Sequence, residues 1–334
     1  MSVNILKINR PIWFMRQAGR HLPEYRDLRL KKDSFLDFCF DFDCVVESTL
    51  QPIRRYDIDC AIVFSDILVI PYLLGQKVNF RKGLGPNLEK LNFQDLLSLS
   101  PCDYKRKKLN NSYRAVKKIR SLLKTTKSLI GFCGAPWTVA CYMIDGNSRG
   151  GFSLSKESIK KNKTFLGALL DKIVDASIKH LIKQYENGCD TLMIFESWAG
   201  LVNSNNKKDI LYNPVKKIIN GLRERMIKAP IIVFPKGLGT GVIDYIRNVN
   251  ADILSIDHEI DINWAIKSFS REIVLQGNLN PRFLVEGGKI LDEEALRIKN
   301  SVGDRQHVFN LGHGMLPETP IKNVRRFIEI LRRR

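Results

Sequence analysis

From residue 59 onward, short apolar runs alternate with longer amphipathic stretches along the chain. The apolar runs are rich in Val, Ile and Phe and show no polar alternation, which is typical of strands buried on both faces of a sheet. The predicted strands are Cys60–Phe64, Leu129–Cys133, Thr191–Phe195, Ile231–Phe234, Ile253–Ile256, Ile273–Leu275 and His307–Leu311. Because helices separate these strands, the pattern predicts βαβ units and a parallel sheet.

The helices are predicted over Asp103–Lys124, Leu166–Asn187, Pro214–Lys228, Gly241–Val249, Ile262–Phe269, Glu293–Ser301 and Ile321–Arg332. This arrangement indicates an α/β fold, a single distorted (β/α)8 or TIM-type barrel, which needs about 250 residues. The chain has 334 residues. We interpret residues 1–334 as one domain, with residues 1–55 as an N-terminal extension. An eighth strand is not placed, and Gln76–Arg81 fits part of a hairpin instead.

A doubly wound open sheet is the structural alternative, and it usually carries a glycine-rich first turn. The nearest candidates are Gly237-x-Gly239 and Gly83-x-Gly85, and neither completes the dinucleotide-binding motif between a strand and a helix. The phosphate-binding loop of nucleotide hydrolases is also missing from the sequence. A nucleotide-binding function is therefore not indicated.

Composition narrows the class of protein. Hydrophobic residues make up 44% and charged residues 27%, as in ordinary globular domains. No uncharged stretch reaches the roughly 18 apolar residues of a membrane span, and the Lys7–Pro11 region does not resemble a secretory signal. The seven cysteines are scattered and never form a Cys-x-x-Cys pair. This usage argues against disulfides or structural zinc and predicts a cytoplasmic protein.

The net charge points to anionic partners. With 54 Lys and Arg against 35 Asp and Glu, the formal charge is +19. A basic protein attracts nucleic acid, membrane surfaces or strongly acidic small molecules. Lysine runs such as Lys105–Lys108 and Lys160–Lys161 also fit solvated helix faces. Nucleic-acid binding stays an alternative, although no RNA-binding aromatic motif or zinc-finger spacing accompanies the charge.

Polar residues follow several predicted strands at the point where each strand ends. Asp66, Ser197 and His313 come directly after the first, third and seventh strands. Each has an ordinary structural explanation: a helix cap for Asp66 or Ser197, or a structural histidine. In a parallel barrel, however, the carboxyl ends of all strands meet at the edge that carries the active site. Their convergence there therefore predicts a functional site.

The N-terminal extension carries a second candidate cluster, Met15–Arg20, preceded by the apolar run Ile12–Met15. If the cluster is helical, Arg16 and Arg20 lie one turn apart on one face. If it is a loop, Gly19 permits close backbone approach to a ligand. Arginine binds carboxylates in a bidentate way. The apolar neighbours indicate that the segment packs against the barrel, and paired surface arginines are the alternative.

These motifs resemble the uroporphyrinogen decarboxylase family. The resemblance is carried, in the expected order along almost the whole chain, by Pro11–Tyr25, Ile62–Leu68, Gly131–Thr138, Phe195–Gly200, Gln276–Leu279 and Asn310–Gly314. Corrinoid-linked methyltransferases share the fold, but they often carry a zinc-binding His-x-Cys pair that this sequence lacks. A methyl-group transferase is therefore the second functional hypothesis.

The resemblance implies a homodimeric barrel that uses no organic cofactor and no metal. It implies decarboxylation of the four acetate side chains of uroporphyrinogen III to methyl groups, giving coproporphyrinogen III in haem and tetrapyrrole synthesis. It also implies a substrate pocket, with Phe132 and Phe195 as apolar walls and Arg29 as a further carboxylate contact. The substrate-binding residues it implies are Arg16, Gln17, Ala18, Gly19, Arg20, Asp66, Tyr142, Ser197 and His313.

The chemistry agrees with a basic, arginine-lined mouth, because the substrate bears eight carboxylates. Loss of carbon dioxide leaves a carbanion equivalent, for which a protonated pyrrole of the substrate serves as the electron sink. The ionised Asp66 carboxylate is the candidate catalytic group, since it can accept from inward-facing pyrrole N–H groups and stabilise the developing cation. The proton donor is left open between His313 and Arg16 or a water that Arg16 holds.

Three residues depart from the family pattern. His21 occupies a position that is usually Tyr, His258 one that is usually aromatic, and Asn280 one that is usually Asp. We expect these changes to affect the pH profile or the packing of the rim without abolishing activity.

Overall fold

The computed structural model describes residues 2–81, 85–100 and 103–333, without the side chains of residues 81, 93 and 103–106. Gly83 and Cys102 therefore lie outside the described residues. Seven strands form a curled parallel sheet in the order β1-β4-β5-β6-β7-β8-β9. They are β1 Cys60–Ile62, β4 Ser128–Gly134, β5 Thr191–Glu196, β6 Ile231–Pro235, β7 Ile253–Ser255, β8 Val274–Leu279 and β9 His307–Leu311. The predicted parallel strands and the barrel-type α/β fold are confirmed.

Helices surround this sheet. They are α1 Pro23–Leu30, α2 Phe35–Phe40, α3 Phe42–Arg55, α4 Val69–Leu73, α5 Phe93–Ser98, α6 Asp103–Leu122, α7 Pro136–Asp145, α8 Ser153–Lys161, α9 Lys163–Glu186, α10 Asn213–Glu224, α11 Val242–Val249, α12 Ile262–Ser268, α13 Pro281–Glu286, α14 Gly288–Val302 and α15 Ile321–Arg332. Each predicted helix is present, with ends shifted by a few residues. Short 3-10 turns and a π-helical turn at Lys208–Tyr212 interrupt the loops.

The first strand is shorter than predicted. The amide of Val63 still donates to Ile130 O at 2.9 Å, but the amide of Phe64 turns away and donates to Thr49 Oγ1 of α3 at 2.9 Å. The residues that follow β1 therefore leave the sheet two positions early. This turn carries Ser65 and Asp66 out to the carboxyl edge.

The predicted N-terminal extension hydrogen-bonds to the sheet near its start. Phe309 of β9 donates to Pro11 O at 2.8 Å and accepts from the Trp13 amide at 3.2 Å, while Asp59 before β1 donates to Ile12 O at 2.8 Å. Residues 11–13 therefore hydrogen-bond to both edges of the seven-stranded sheet. This segment lies between the first and last strands of the sheet and forms a single parallel bridge, between Ile12 and Phe309.

The hairpin suggested for residues 76–81 is present. Strand β2 (Val78–Arg81) pairs antiparallel with β3 (Gly85–Leu88). Leu88 also donates to Gly146 O at 2.8 Å, at the end of α7. The hairpin therefore packs on the helical layer and not in the barrel sheet.

Two layers of apolar side chains make up the core. One lies inside the curl of the sheet and includes Trp13 from the N-terminal segment, Phe132 from β4, Met193 from β5 and Phe234 from β6. The other lies between the sheet and the surrounding helices. Alternate residues of each strand thus face either layer, as expected for strands covered on both sides. This alternation decides which residues at the strand ends point towards the inside of the sheet.

Candidate active site

The carboxyl ends of the strands bring the predicted polar residues to one edge of the sheet. Asp66 follows β1, Ser197 follows β5 and His313 follows β9, and all three side chains are half-buried. The segment that contains Arg16 reaches the same edge, because the Arg16 side chain packs over Gly314. We call this group of residues the mouth.

The Met15–Arg20 segment is a series of turns, so the loop prediction is confirmed and the helical alternative is wrong. Its geometry is fixed from β9: the Met15 amide donates to Asn310 Oδ1 at 3.0 Å, and Met315 donates to Met15 O at 2.8 Å. Arg16 has a left-handed backbone with φ of 61° and an exposed side chain. A β-carbon at Gly314 would lie 2.4 Å from Arg16 Cδ, so this glycine makes room for the arginine.

Gln17 anchors the segment to β1. Its wholly buried side chain donates to Cys60 O at 3.0 Å and accepts from the Phe14 amide at 3.0 Å. The two residues after it are half-buried and leave their amide N–H groups without a partner in the described part of the chain. These are Ala18 and Gly19. The segment thus offers main-chain donors beside the exposed Arg20 side chain.

Asp66 combines a structural and a free oxygen. Its Oδ1 accepts from the Leu68 amide at 2.8 Å, in the turn before α4, whereas the N-cap residue of α4 is Leu68, which makes no side-chain cap. No partner is recorded for Oδ2 among the residues described. Burial raises the pKa of the Asp66 carboxyl, and the Leu68 amide and the positive charge of Arg16 oppose this rise. The guanidinium therefore lies near enough to act electrostatically on the acid.

Tyr142 lies next to this pair. Burial raises the pKa of its phenol, and the charge of Asp66 adds to the rise while Arg16 opposes it. Its ring packs edge-on against Phe152 at 5.2 Å, and Phe152 in turn contacts Trp198 at 4.9 Å. Trp198 directly follows Ser197. The Tyr142 and Ser197 positions therefore share one aromatic wall of the mouth.

Two further aromatic side chains border the site from inside the sheet. The rings of Phe132 and Phe195 meet edge-on at 5.4 Å, and Phe195 lies 6.4 Å from Phe234. Phe234 also contacts His313 at 6.5 Å. These contacts place an apolar floor below the polar groups of the mouth.

His313 is held neutral. Burial lowers its pKa from 6.5 to about 4, and the positive charges of Arg16 and Lys236, together with nearby His258, act in the same direction. A neutral imidazole is a weak acid at pH 7. Burial and these charges therefore disfavour the protonated form of His313, and its part in proton donation stays a prediction.

Lys236 is a charged residue of the mouth that no sequence motif indicated. The structure places it directly after β6 and close enough to His313 to lower that histidine's pKa. The signal was present in the sequence: Lys236 is the first charged residue after the apolar run Ile231–Phe234, at the same edge as Asp66 and Ser197.

The departing residues have separate surroundings. His21 is buried and stacks on Tyr56 at 6.3 Å, and burial lowers its pKa to about 4. His258 contacts Gly312 O through Nδ1 at 3.3 Å. Asn280 caps α13 by accepting from the Arg282 amide at 3.0 Å. Asparagine therefore fulfils the capping function without a charge.

Arg29 lies in the surroundings of Asp66: burial raises the pKa values of Tyr25 and Cys39, the Asp66 charge adds to the rise, and the Arg29 charge opposes it. Its guanidinium stacks over the rings of Phe35 and Phe38 at 5.9 and 5.7 Å and donates to Lys32 O. Cation–π and main-chain contacts therefore already occupy this side chain.

A buried acid supports the wall from behind. Glu196 is fully buried at the end of β5 and accepts a hydrogen bond from Thr138 Oγ1, and its Oε2 has no hydrogen-bond partner among the described residues. Burial raises its pKa to about 8, against the hydrogen bonds from Thr138. Thr138 Oγ1 also accepts from the Trp198 amide at 3.2 Å. Glu196 thus fixes the turn that carries Ser197.

Three features are absent from the residues that the structure describes. No three His, Cys, Asp or Glu side chains come together there in a way that could hold a metal ion. No helix there is both long and apolar enough to cross a bilayer. The described cysteines are all buried and none is in a disulfide.

Solved structures of other proteins share the fold of this chain. The chain is similar to a methyltransferase from Methanosarcina mazei with a TM-score of 0.77 and 16% identity, covering 99% of this chain and 93% of the other. It is also similar to a B12-independent methionine synthase from Shewanella sp. W3-18-1, with a TM-score of 0.51 and 11% identity over 87% and 85% of the two chains. At such low identities these likenesses show the barrel-type fold alone.

Comparison with known sequences concerns the family. The chain is 42% identical to the uroporphyrinogen decarboxylase of Rickettsia felis over 99% of this chain and 96% of that one. It is 42% identical to the uroporphyrinogen decarboxylase of Rickettsia canadensis over 96% and 94% of the two chains. The sequence model of the family described as uroporphyrinogen decarboxylase (URO-D) matches residues 8–334. With this match over nearly its whole length, the chain belongs to the uroporphyrinogen decarboxylase family.

Proposed function

We propose that this protein removes carbon dioxide from the four acetate side chains of uroporphyrinogen III and forms coproporphyrinogen III, without an organic cofactor or a metal. The reaction belongs to haem and tetrapyrrole synthesis. The observation that carries the proposal is the placement of Asp66 beside Arg16 at the mouth of a chain that matches this family over residues 8–334. An acid next to a guanidinium suits a substrate that is both polyanionic and transiently cationic.

The charges of the mouth fit the eight carboxylates of the substrate. Arg16 and Arg20 are exposed, and the free amides of Ala18 and Gly19 add uncharged donors between them. Guanidinium groups bind carboxylates through paired hydrogen bonds, and main-chain N–H groups donate further hydrogen bonds to them. Because Gln17 pins this segment to β1, the donors are fixed before the substrate arrives.

The reaction needs an electron sink. In each step a proton adds to a pyrrole carbon and makes the ring an iminium-like cation. The bond between the acetate methylene and its carboxylate then breaks, its electron pair moves into the ring, and carbon dioxide leaves. A second proton on the methylene carbon gives the methyl group and the ring loses the first one. The net change is one proton taken up and one carbon dioxide released.

Asp66 is the proposed catalytic residue. Its carboxylate would accept from the inward-facing pyrrole N–H groups and stabilise the cation as it forms. A fixed charge in a partly buried site does this with little reorganisation, and such contacts are worth about 2.7–4 kcal/mol in comparable sites. The hydrogen bond from the Leu68 amide to Oδ1 holds the carboxylate in place.

The remaining residues would bind and orient the substrate. Tyr142, Ser197 and His313 are proposed hydrogen-bonding partners of the carboxylates, with Phe132 and Phe195 below the macrocycle. Because burial keeps the pKa of His313 at about 4, we propose that it acts as a neutral partner. A water bound to Arg16 is then the proposed proton source, since Arg16 lies beside both Asp66 and His313.

We also propose a cytoplasmic homodimer, as the resemblance to the family implies. The buried, unpaired cysteines support a reducing compartment. The mass of the purified protein in solution, measured by light scattering, tests the oligomeric state. A monomer at micromolar concentration would contradict this part of the proposal.

The proposed function is tested by incubating the purified protein with uroporphyrinogen III, freshly prepared by reduction of the porphyrin, in the presence of a chelator. The products are oxidised to porphyrins and separated by their number of carboxylates. We expect hepta-, hexa- and pentacarboxylic intermediates and then the tetracarboxylic product. An unchanged octacarboxylic substrate would contradict the proposal, and activity that needs added zinc or a corrinoid would favour a methyl-group transferase.

A further inference from the structure

Lys236 occupies a position in the mouth opposite the arginine segment. It directly follows β6, whose residues Ile232 and Phe234 face the inside of the sheet. Because side chains alternate along a strand, Lys236 continues the inward-facing row beyond Phe234. The same row therefore leads from the apolar floor of the site to an ammonium group at its edge.

The backbone of Lys236 is held firmly. Its amide donates to Glu196 O at 3.0 Å, and its carbonyl accepts from the Gly200 amide at 3.1 Å. Both partners belong to the β5 side of the mouth, on either side of Ser197 in the sequence. The neighbouring Gly237 amide donates to Asp257 Oδ2 at 2.7 Å. These contacts fix the point from which the lysine side chain extends.

The ammonium group has no counterion among the residues described. Some half-buried basic residues pair with carboxylates, as Arg120 does with Asp190 at 3.0 Å and Arg55 does with Glu24 at 2.7 Å, whereas others, such as Lys172, bond to main-chain carbonyls. Lys236 is half-buried and forms no ion pair. Its charge acts on His313 together with that of Arg16. Two cations from different elements thus flank one neutral histidine.

We propose that Lys236 binds a carboxylate of the substrate on the β6 side of the mouth, so that His313 lies between two cationic carboxylate-binding positions, Arg16 and Lys236. This inference rests on the proposed function, and it extends the binding site beyond the residues that the family motifs indicate. A half-buried ammonium without a counterion gains a partner when a polyanion enters. The substrate, with carboxylates around its whole periphery, supplies one on each side of the mouth.

The first test compares Lys236→Gln, Lys236→Arg and the wild-type protein in turnover of uroporphyrinogen III. We expect KM to rise about tenfold in Lys236→Gln, the loss of one charge-assisted hydrogen bond, with kcat changed less than threefold. Lys236→Arg should recover most of the affinity. Lys179→Gln, at an exposed position of α9, is the matched control for loss of one positive charge, and its KM should stay within twofold of wild type.

A second measurement needs no turnover. Fluorescence titration with uroporphyrin should give a Kd that rises in Lys236→Gln in parallel with KM. In the histidine NMR spectrum, the pKa of His313 should increase in Lys236→Gln, because one of the positive charges facing it is removed while Arg16 and His258 remain. The Lys179→Gln control should leave this pKa unchanged.

Each outcome separates this inference from the proposed function. If wild-type protein forms coproporphyrinogen but Lys236→Gln keeps its KM, Kd and His313 pKa, the inference on Lys236 is overturned and the function stands. If Lys236→Gln lowers kcat and melting temperature while KM stays the same, Lys236 has a structural role and the inference is equally overturned. If wild-type protein shows no turnover, but uroporphyrin binds Lys236→Gln about tenfold more weakly, the anion-binding role holds and the proposed reaction fails.

Discussion

Arg16 and Gly314 form a matched pair across the mouth. Arg16 reaches over a residue that has no side chain, and a β-carbon there would lie 2.4 Å from Arg16 Cδ. A flexible arginine can move aside at small cost in stability, but it then leaves its place beside Asp66. The glycine is therefore a positioning residue for the guanidinium, on our proposal for the site.

Gly314→Ala should raise KM for uroporphyrinogen about tenfold, because Arg16 is displaced, while the melting temperature stays within about 2 °C of wild type. Steady-state kinetics and thermal unfolding measure the two effects. Gly150→Ala is the control, since no atom lies within 4 Å of the β-carbon it would add. Wild-type kinetics in Gly314→Ala would show that the arginine does not need this space.

Some residues of the site could be predicted from the sequence, and others could not. Asp66 and Arg16 could be predicted because they lie in recognisable motifs at a strand end and in an arginine-rich segment. Lys236 is one of 54 lysines and arginines, and no local pattern distinguishes an unpaired lysine from a solvated one. Likewise, the lowered pKa of His313 depends on burial and on charges contributed by three distant segments, which a residue type alone does not reveal.

The N-terminal segment joins the two edges of the sheet. The Gln17 side chain holds it on one side through Cys60 O and Phe14 N, and Asn310 holds it on the other through the Met15 amide. The segment therefore links the stability of the sheet to the position of Arg16.

Gln17→Ala removes both hydrogen bonds and leaves the Cys60 carbonyl and the Phe14 amide buried without partners. We expect a loss of roughly 2–5 kcal/mol in the free energy of unfolding, measured by urea denaturation, together with weaker substrate binding. The exposed Gln94→Ala in α5 should change stability by less than about 0.5 kcal/mol. Equal stability of the two variants would contradict the anchoring role.

Glu196 joins two elements, because it is the last residue of β5 and accepts a hydrogen bond from Thr138 of α7. Burial raises its pKa to about 8 in the folded protein, from the ordinary value of 4.5 for a solvated side chain. The folded state therefore holds the proton more tightly than the unfolded state. The stability that this group contributes is fully present below pH 4.5 and is lost as the pH rises to about 8.

Glu196→Gln should accordingly flatten the pH dependence of stability. Between pH 7 and 9 the melting temperature of the wild-type protein should fall, and that of the variant should fall less, because the amide cannot ionise. Glu224→Gln, at an exposed position of α10, should follow the wild-type curve. Parallel curves for wild type and Glu196→Gln would show that the carboxyl is already ionised at pH 7.

Most elements could be predicted from the sequence, for a local reason. The strands are buried on both faces and therefore appear as continuous apolar runs, as Thr191–Phe195 does. The shortened end of β1 could not be predicted, since it depends on a hydrogen bond from Phe64 to Thr49. The docking of residues 11–13 between β9 and β1 depends on pairing across about 300 residues of sequence, which no local pattern records.

For the whole molecule, net charge is the property that the proposed substrate exploits. A protein of charge +19 attracts an octacarboxylate over distances that salt shortens, with a Debye length of about 10 Å at 0.1 M and 3 Å at 1 M ionic strength. The same charge would attract nucleic acid, so charge alone does not choose between the two hypotheses.

The dependence of substrate binding on salt, combined with mutation of Arg16 or Asp66, distinguishes the two hypotheses. We expect KM for uroporphyrinogen to rise severalfold between 0.02 and 0.5 M salt, with kcat nearly constant, because screening weakens binding more than chemistry. Nucleic-acid affinity that falls steeply with salt and is unaffected by changes at Arg16 or Asp66 would support the alternative. A KM that is independent of salt would contradict electrostatic capture of the substrate.

The central claim is that the Asp66 carboxylate stabilises a cation formed on the bound tetrapyrrole, and Asp66→Asn tests it most directly. Asparagine retains an oxygen that can accept from the Leu68 amide, so the variant should fold with a melting temperature near that of wild type and bind uroporphyrin with a similar Kd. Its turnover of uroporphyrinogen III should be about 10²–10³ times slower. Turnover at the wild-type rate by this folded, substrate-binding variant would contradict the account.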